Sequence, residues 1–323
     1  MPRSATLATI PAALRDGDVV GVCAPAGRPP PARLRKGLDR LAERFTVKLG
    51  AVTEAALRGD PPTAPGFLAA DDRARGEELN AMLADRDVRA IFMARGGYGA
   101  ARILADLDPA PLVADPRPII GFSDITAVLA WAERHGVRGI HGPVITQLGE
   151  LPGEDVAWLH RVLTSRQPLG RLPWPLAGGR PGAPVVRGRL RGGNLMLITR
   201  LIGTPWQIDL EDAVVLIEEV GETPYAIDRE LTQLGLAHQL DRISAVVIGD
   251  LTRCMDPPHA AGVIDDPGPA FAAVAERLAR WRAPALTGLP IGHGAHNAAV
   301  PYGAMTSVDL AAGVIEIEDA AVR

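Results

Sequence analysis

Arg117-Pro-Ile-Ile-Gly-Phe-Ser-Asp-Ile-Thr-Ala-Val-Leu-Ala-Trp-Ala-Glu-Arg-His-Gly136 passes from an apolar run to helical spacing across one short junction. Residues 117–122 read as a buried strand, and Ile125 to Gly136 as a helix closed by a C-terminal glycine. Upstream the same unit recurs. VRAIFMARGG (88–97) is a strand running into glycines, followed by a helical stretch over 100–107. DVVGVCAPAG (18–27) is a strand that breaks at Pro25 and Gly27. After it, Leu34, Leu38, Leu41 and Phe45 fall at helical spacing, and a charged helix is predicted over 71–83. Strand and helix in alternation predict an α/β fold, a parallel sheet of flavodoxin or Rossmann-like type with helices on both faces. In such sheets the reactive groups lie where strands end and loops begin.

Downstream the texture changes. Residues 151–184 are dense in proline and glycine and predict a linker between an N-terminal domain (1–150) and a C-terminal domain (185–323). The second domain contributes VVRGRLRGGNL, AVVLIEEVG, ISAVVIGDL, PALTGLPIG and AMTSVDLAAGVIEIED. These short apolar runs predict a smaller, strand-rich α+β unit.

The 323 residues suffice for two such cores. With 34 basic against 38 acidic residues and a net charge of −4, a concentrated basic surface for nucleic acid is not expected. Aromatic residues make up 4%, too few for base-stacking platforms. Cys23 and Cys254 form no framework, and Cys23, in an apolar run, reads as a buried structural thiol. The stretch MPRSATLATIPAALRDGD lacks an uninterrupted apolar core, and no window approaches the roughly 18 to 20 apolar residues of a membrane span. A cytoplasmic protein without membrane contact is expected.

Four places carry side chains or backbone suited to chemistry. Ser123, between strand and helix, is either a helix cap or a nucleophile held at a sharp turn above free backbone N–H groups. Ile125 stands where a G-x-S-x-G motif would have its second glycine. Arg95-Gly-Gly-Tyr-Gly99 can present N–H donors to an anion or make a tight turn, and no phosphate-loop residues follow it. Glu218, Glu219 and Glu222 end an apolar strand, where a carboxylate is either solvated or holds a histidine tautomer. His293, between Gly292 and Gly294, sits on a loop just past a predicted strand; His141 and His296 compete with it. The histidine spacings match no usual metal-ligand pair, so no metal is expected.

In this order and spacing, APAG, FLAADDRARGEELNAML, ARGGYGAARIL, PIIGFSDITAVL, IHGPV, RGGNL, LIEEVGETPYAIDREL, LPIGHGAHN and PYGA resemble the LD-carboxypeptidase family of serine peptidases. That family also includes the microcin C immunity peptidases. The resemblance covers most of the chain outside 151–184. It implies Ser123 as nucleophile, His293 as general base and Glu218 as the acid that orients it. It also implies an oxyanion hole from the backbone N–H of Gly97 and Asp124. Arg95, Tyr98 and His141 are the candidates for holding substrate. The implied reaction, without metal or organic cofactor, is hydrolysis of an L,D-amide bond in a small peptide, releasing terminal D-alanine from murein tetrapeptide during cell-wall recycling, by a homodimer. The alternatives are cleavage of peptidyl or aminoacyl nucleotides, with Trp174 or Trp206 as platforms for the base, and a catalytically silent small-molecule binding protein.

Overall fold

Val19–Cys23 (β1), Thr46–Leu49 (β2), Ala90–Met93 (β3), Ile119–Gly121 (β4) and Ile140–His141 (β5) form a parallel sheet in the computed structural model, which describes residues 8–256 and 264–323. The first seven residues of the stretch read against a secretion signal lie outside the described residues. Val20, Val22, Ile91, Phe92, Ile120 and Ile140 are all buried, as expected of strands covered on both faces. The strand order is β2-β1-β3-β4-β5, so the winding reverses between β1 and β3. In open α/β sheets ligands bind outside the carboxyl ends of the strands at that reversal. The loops after β1 and β3 are Ala24–Gly27 and Arg95–Gly99, both singled out by their glycines.

Thr46–Leu49 and the helix Ala51–Arg58 were absent from the sequence reading. Lys48 alternates with apolar neighbours in a four-residue edge strand, which leaves too little periodicity to detect. The region 151–184 also differs from the expected linker. Gly153–Thr164 is a helix that buries Asp155, Leu159, Val162 and Leu163 on one face. Its flanking prolines and glycines obscured a period that those four positions carry.

The chain divides into two compact units. The first comprises the chain up to Arg166 with Ala299–Gly303 and Ala320–Arg323; the second comprises Gln167–Ala298 and Ala304–Asp319. The second unit holds Gly170–Arg171 (β6), Val185–Asn194 (β7), Ala213–Val220 (β8), Ala245–Thr252 (β9) and Ala285–Thr287 (β10). Val300–Pro301 (β11) returns to the first sheet, antiparallel to β5. Met305–Asp309 (β12) and Val314–Ile317 (β13) then complete the second, in the order β10-β9-β8-β7-β12-β13-β6. All five apolar runs predicted after residue 184 lie in strands of that second sheet. Strands β7 to β10 are parallel, joined through the helices Leu195–Arg200, Pro224–Leu236 and Gly268–Arg280, while β12, β13 and β6 pair antiparallel. Among the described residues no helix is long and apolar enough to cross a membrane.

Candidate active site

Ser123 has φ = 63°, in the left-handed region. For a residue with a Cβ this conformation costs about 1–3 kcal/mol and persists only where neighbours enforce it. It opens a single 3-10 turn, Ser123–Ile125, that feeds the helix Thr126–Arg134. The N-cap positions of these two elements are Phe122 and Ile125, so Ser123 is not the cap that its residue type suggested. A strained serine between strand and helix is the geometry of a nucleophile elbow.

What enforces the turn is the glycine loop after β3. A Cβ on Gly96 would lie 2.9 Å from Ser123 Cβ, 3.0 Å from its Oγ and 3.4 Å from the Asp124 backbone nitrogen. Only glycine lets the two loops approach so closely. Asp124 fastens them, since its carboxylate accepts the Ala100 N–H at 2.7 Å. Burial pushes the Asp124 carboxyl up, opposed by the Ala100 bond and by Arg75. Gly97, at φ = 104°, packs instead against Gly27, with 3.3 Å between a Cβ placed there and Gly27 Cα. The Gly27 N–H in turn donates to the Gly96 carbonyl at 3.0 Å.

Arg75, which the sequence reading passed over, holds this platform from below. It is fully buried, and its guanidinium donates to the carbonyls of Pro25, Ala70 and Gly99, the last at 2.9 Å, and pairs with Asp72. One side chain thereby ties the loop after β1 to the loop after β3. A buried arginine in a charged helix looks like a solvated residue in sequence, because the acceptors that draw it inward, the Pro25 and Gly99 carbonyls, are distant in the chain.

The other expected residues of this unit have distinct surroundings. His141 on β5 is fully buried, in register with Gly121, and its ring meets Phe122 edge-on at 5.9 Å. Arg95 and Tyr98 are exposed; Arg95 donates to the Arg28 carbonyl at 2.6 Å, and Tyr98 packs edge-on against Phe67. Cys23 is buried as read, its thiol pushed up by burial and by Glu78.

In the second unit, Glu218 near the end of β8 is fully buried and lies 2.7 Å from His293 Nδ1 through its Oε2. No other hydrogen bond reaches it among the described residues, so the interaction is directed at one ring nitrogen. Burial alone would push the His293 imidazolium down. The charge and hydrogen bond of Glu218, with Glu219 and Asp250, outweigh burial and hold it above its ordinary value. Glu219, beside it in sequence, has a different task. It accepts from Asn194 Nδ2, Met196 N–H and Val220 N–H at 2.8–2.9 Å, and burial and the Glu218 charge push it up to about 7. Of these two adjacent acids, Glu218 lies against His293 and Glu219 against Asn194, Met196 and Val220.

Among the described residues no group of three or more His, Cys, Asp or Glu side chains is placed to hold a metal ion. The first unit offers a half-buried serine hydroxyl on a strained turn, and the second an imidazole hydrogen-bonded to a buried carboxylate. These are the parts of nucleophilic acyl transfer. Residues 20–142 match the family model for the LD-carboxypeptidase N-terminal domain, and residues 187–308 that for its C-terminal domain. The chain belongs to the LD-carboxypeptidase family.

Two relatives of this LD-carboxypeptidase family member overlap most of its length. The probable murein peptide carboxypeptidase of Bacillus subtilis is 32% identical over 95% of this chain and 94% of its own. The murein tetrapeptide carboxypeptidase of Pseudomonas aeruginosa is 35% identical over 73% of this chain and 78% of its own. The structure of MccF in complex with glutamyl sulfamoyl guanosine superposes with a TM-score of 0.81 at 22% identity, covering 97% of this chain and 99% of that one. At that identity the likeness establishes the shared fold. The boundaries of the two family models fall on either side of the helix Gly153–Thr164, the segment for which the sequence offered little to match.

Proposed function

We propose that this LD-carboxypeptidase family member hydrolyses an L,D-amide bond by a Ser123–His293–Glu218 triad and releases terminal D-alanine from murein tetrapeptide. The observation that carries the proposal is the left-handed serine turn at Ser123, pinned by Gly96, together with the hydrogen bond of the buried Glu218 carboxylate to His293. Glu218 engages Nδ1, so Nε2 is the nitrogen that takes the Ser123 proton as Oγ attacks the carbonyl. The imidazolium then gives that proton to the leaving amine. Water, deprotonated by the same nitrogen, releases the acyl group from Ser123. The N–H groups of Asp124 and Gly97 are the proposed oxyanion donors: the first follows the nucleophile directly, and the second follows the glycine that packs against it.

The substrate reading is supported by the two murein peptide carboxypeptidases at 32% and 35% identity. It carries two further expectations, a homodimer and a cytoplasmic location, which sedimentation and cell fractionation test. The deciding experiment offers purified protein a murein tetrapeptide and, separately, an aminoacyl sulfamoyl adenosine. Release of D-alanine, lost in Ser123→Ala, is the expected result. Release of the nucleoside alone would replace the murein reading with the immunity-peptidase one. No turnover of either substrate would favour the silent binding protein.

A further inference from the structure

The pairing of β8 with β9 slips at one point: Ile217 faces Ile248, whereas Glu219 faces Leu251. Gly249 and Asp250 therefore stand where β8 has a single residue, Glu218. A β-bulge of this kind bends its strand and re-aims the side chain it carries. Here it brings Asp250 onto the histidine loop from the strand next to the one that supplies Glu218.

Asp250 holds that loop on both sides of His293. Its backbone N–H donates to the Ile291 carbonyl at 2.8 Å, and its Oδ2 accepts the Gly294 N–H at 3.0 Å. The two glycines that bracket the histidine also answer to it. Gly292 has φ = 130°, and a Cβ there would come within 3.2 Å of the Cβ atoms of both Asp250 and Glu218. A Cβ on Gly294 would strike the Asp250 carboxylate. Gly249, before Asp250, leaves room for the Ile291 carbonyl. The Gly-His-Gly sequence is thus shaped by a carboxylate more than forty residues upstream.

We infer that Asp250 is a positioning residue for His293, clamping Ile291 and Gly294 so that the imidazole meets Glu218 in one orientation. The inference rests on the reading of His293 as the base. The charges that face this pair are Glu218 and Glu219 from β8, Asp250 from β9 and His296 from the same loop.

The test uses the full-length protein with murein tetrapeptide, measuring kcat, KM and the pH profile of kcat/KM. Asp250→Ala removes the Gly294 anchor and is expected to lower kcat by about 10- to 100-fold with KM within about threefold, since small misplacement of a catalytic group has effects of that order. Asp250→Asn keeps an acceptor for Gly294. It is expected to recover kcat to within about fivefold while its acidic limb moves to lower pH, because one negative charge facing the imidazolium is gone. Gly294→Ala is expected to reproduce the kcat loss and to add little on top of Asp250→Ala, as for coupled neighbours. If Asp250→Ala does not fold, the Asp250→Asn limb and the Gly294→Ala kcat decide. Wild-type kcat in Asp250→Ala, or an Asn variant as impaired as Ala with an unmoved limb, overturns the inference. Ser123→Ala and His293→Ala run alongside. Activity surviving in either refutes the triad itself, whereas their inactivity beside a fully active Asp250→Ala refutes only the role of Asp250.

Discussion

Replacing Glu218 by glutamine tests the catalytic reading at its most constrained point. The carboxylate is fully buried, its Oε2 lies 2.7 Å from His293 Nδ1, and its Oε1 has no hydrogen-bond partner among the described residues. A glutamine must put its NH2 at one of those two places. At the Oε1 position the amide would be a buried donor without an acceptor, at about 1–3 kcal/mol. Turned toward Nδ1 it becomes satisfied, but Nδ1 must then be the unprotonated nitrogen and Nε2 carries the proton. That tautomer cannot accept the Ser123 proton. The preference for it adds to the loss of a charge-assisted hydrogen bond to the imidazolium, about 1.5–3 kcal/mol. Together these amount to roughly 3–5 kcal/mol of lost transition-state stabilisation, or about 10²- to 10⁴-fold in kcat/KM at about 1.4 kcal/mol per decade. The pH profile carries a second signature. If His293 is the base it must be neutral to act, and activity should then rise with pH through an imidazolium pKa held above the ordinary value by Glu218. Without that charge burial works against the imidazolium with less opposition, and the acidic limb of any residual activity moves to lower pH. The assay is D-alanine release from murein tetrapeptide across pH, with a thermal melt to show that the variant is folded. A folded Glu218→Gln with kcat/KM within tenfold of wild type and an unmoved limb would refute the reasoning.

Other outcomes follow from the same contacts. Ser123→Ala should lose turnover without losing fold, whereas Ser123→Gly should also relieve the left-handed strain and raise Tm by about 2–4 °C per kcal/mol recovered; an unchanged Tm in the glycine variant would count against the strain. Gly96→Ala should lower kcat/KM by at least about 100-fold, because its methyl group must push the Ser123 side chain away from a 2.9 Å approach; near-normal kinetics would show that the loops are free to part. Stability should fall as pH rises through the neutral range. Burial and the charge of Glu218 hold Glu219 up to about 7, and burial with Glu219 and Glu222 holds Glu230 up to about 8, against 4.5 for either when unfolded. The folded state therefore keeps protons that the unfolded state releases above about 4.5, and this contribution is lost progressively up to about pH 8. Melts from pH 5 to 9 should show the decline, and Glu230→Gln should flatten its upper part; a Tm that climbs over that range would contradict the assignment.

The amino-acid sequence by itself determined the alternation of β1, β3 and β4 with their helices, and the strands after residue 184, because buried strands and amphipathic helices differ in hydrophobic period. It also marked Ser123, the Arg95–Gly99 loop and the Gly-His-Gly run, since glycines and a serine at strand ends are local signals. It missed β2 and the helix at 153–164, one too short for its period and the other masked by flanking prolines. What only the tertiary structure decided concerns partners far apart in the chain. Ser123 could be a cap or a strained turn until the approach of Gly96 distinguished them. Glu218, Glu219 and Glu222 share one local pattern, in which only the family resemblance singled out Glu218; their different partners, His293 for Glu218 and Asn194 with Met196 for Glu219, belong to the packing of β8. Arg75 and Asp250 gave no local sign, because the contacts that tie separate loops together, to Pro25 and Gly99 for Arg75 and to Ile291 and Gly294 for Asp250, are with backbone groups distant in sequence. Periodicity is a property of consecutive residues, whereas burial and hydrogen-bond satisfaction belong to the packed chain.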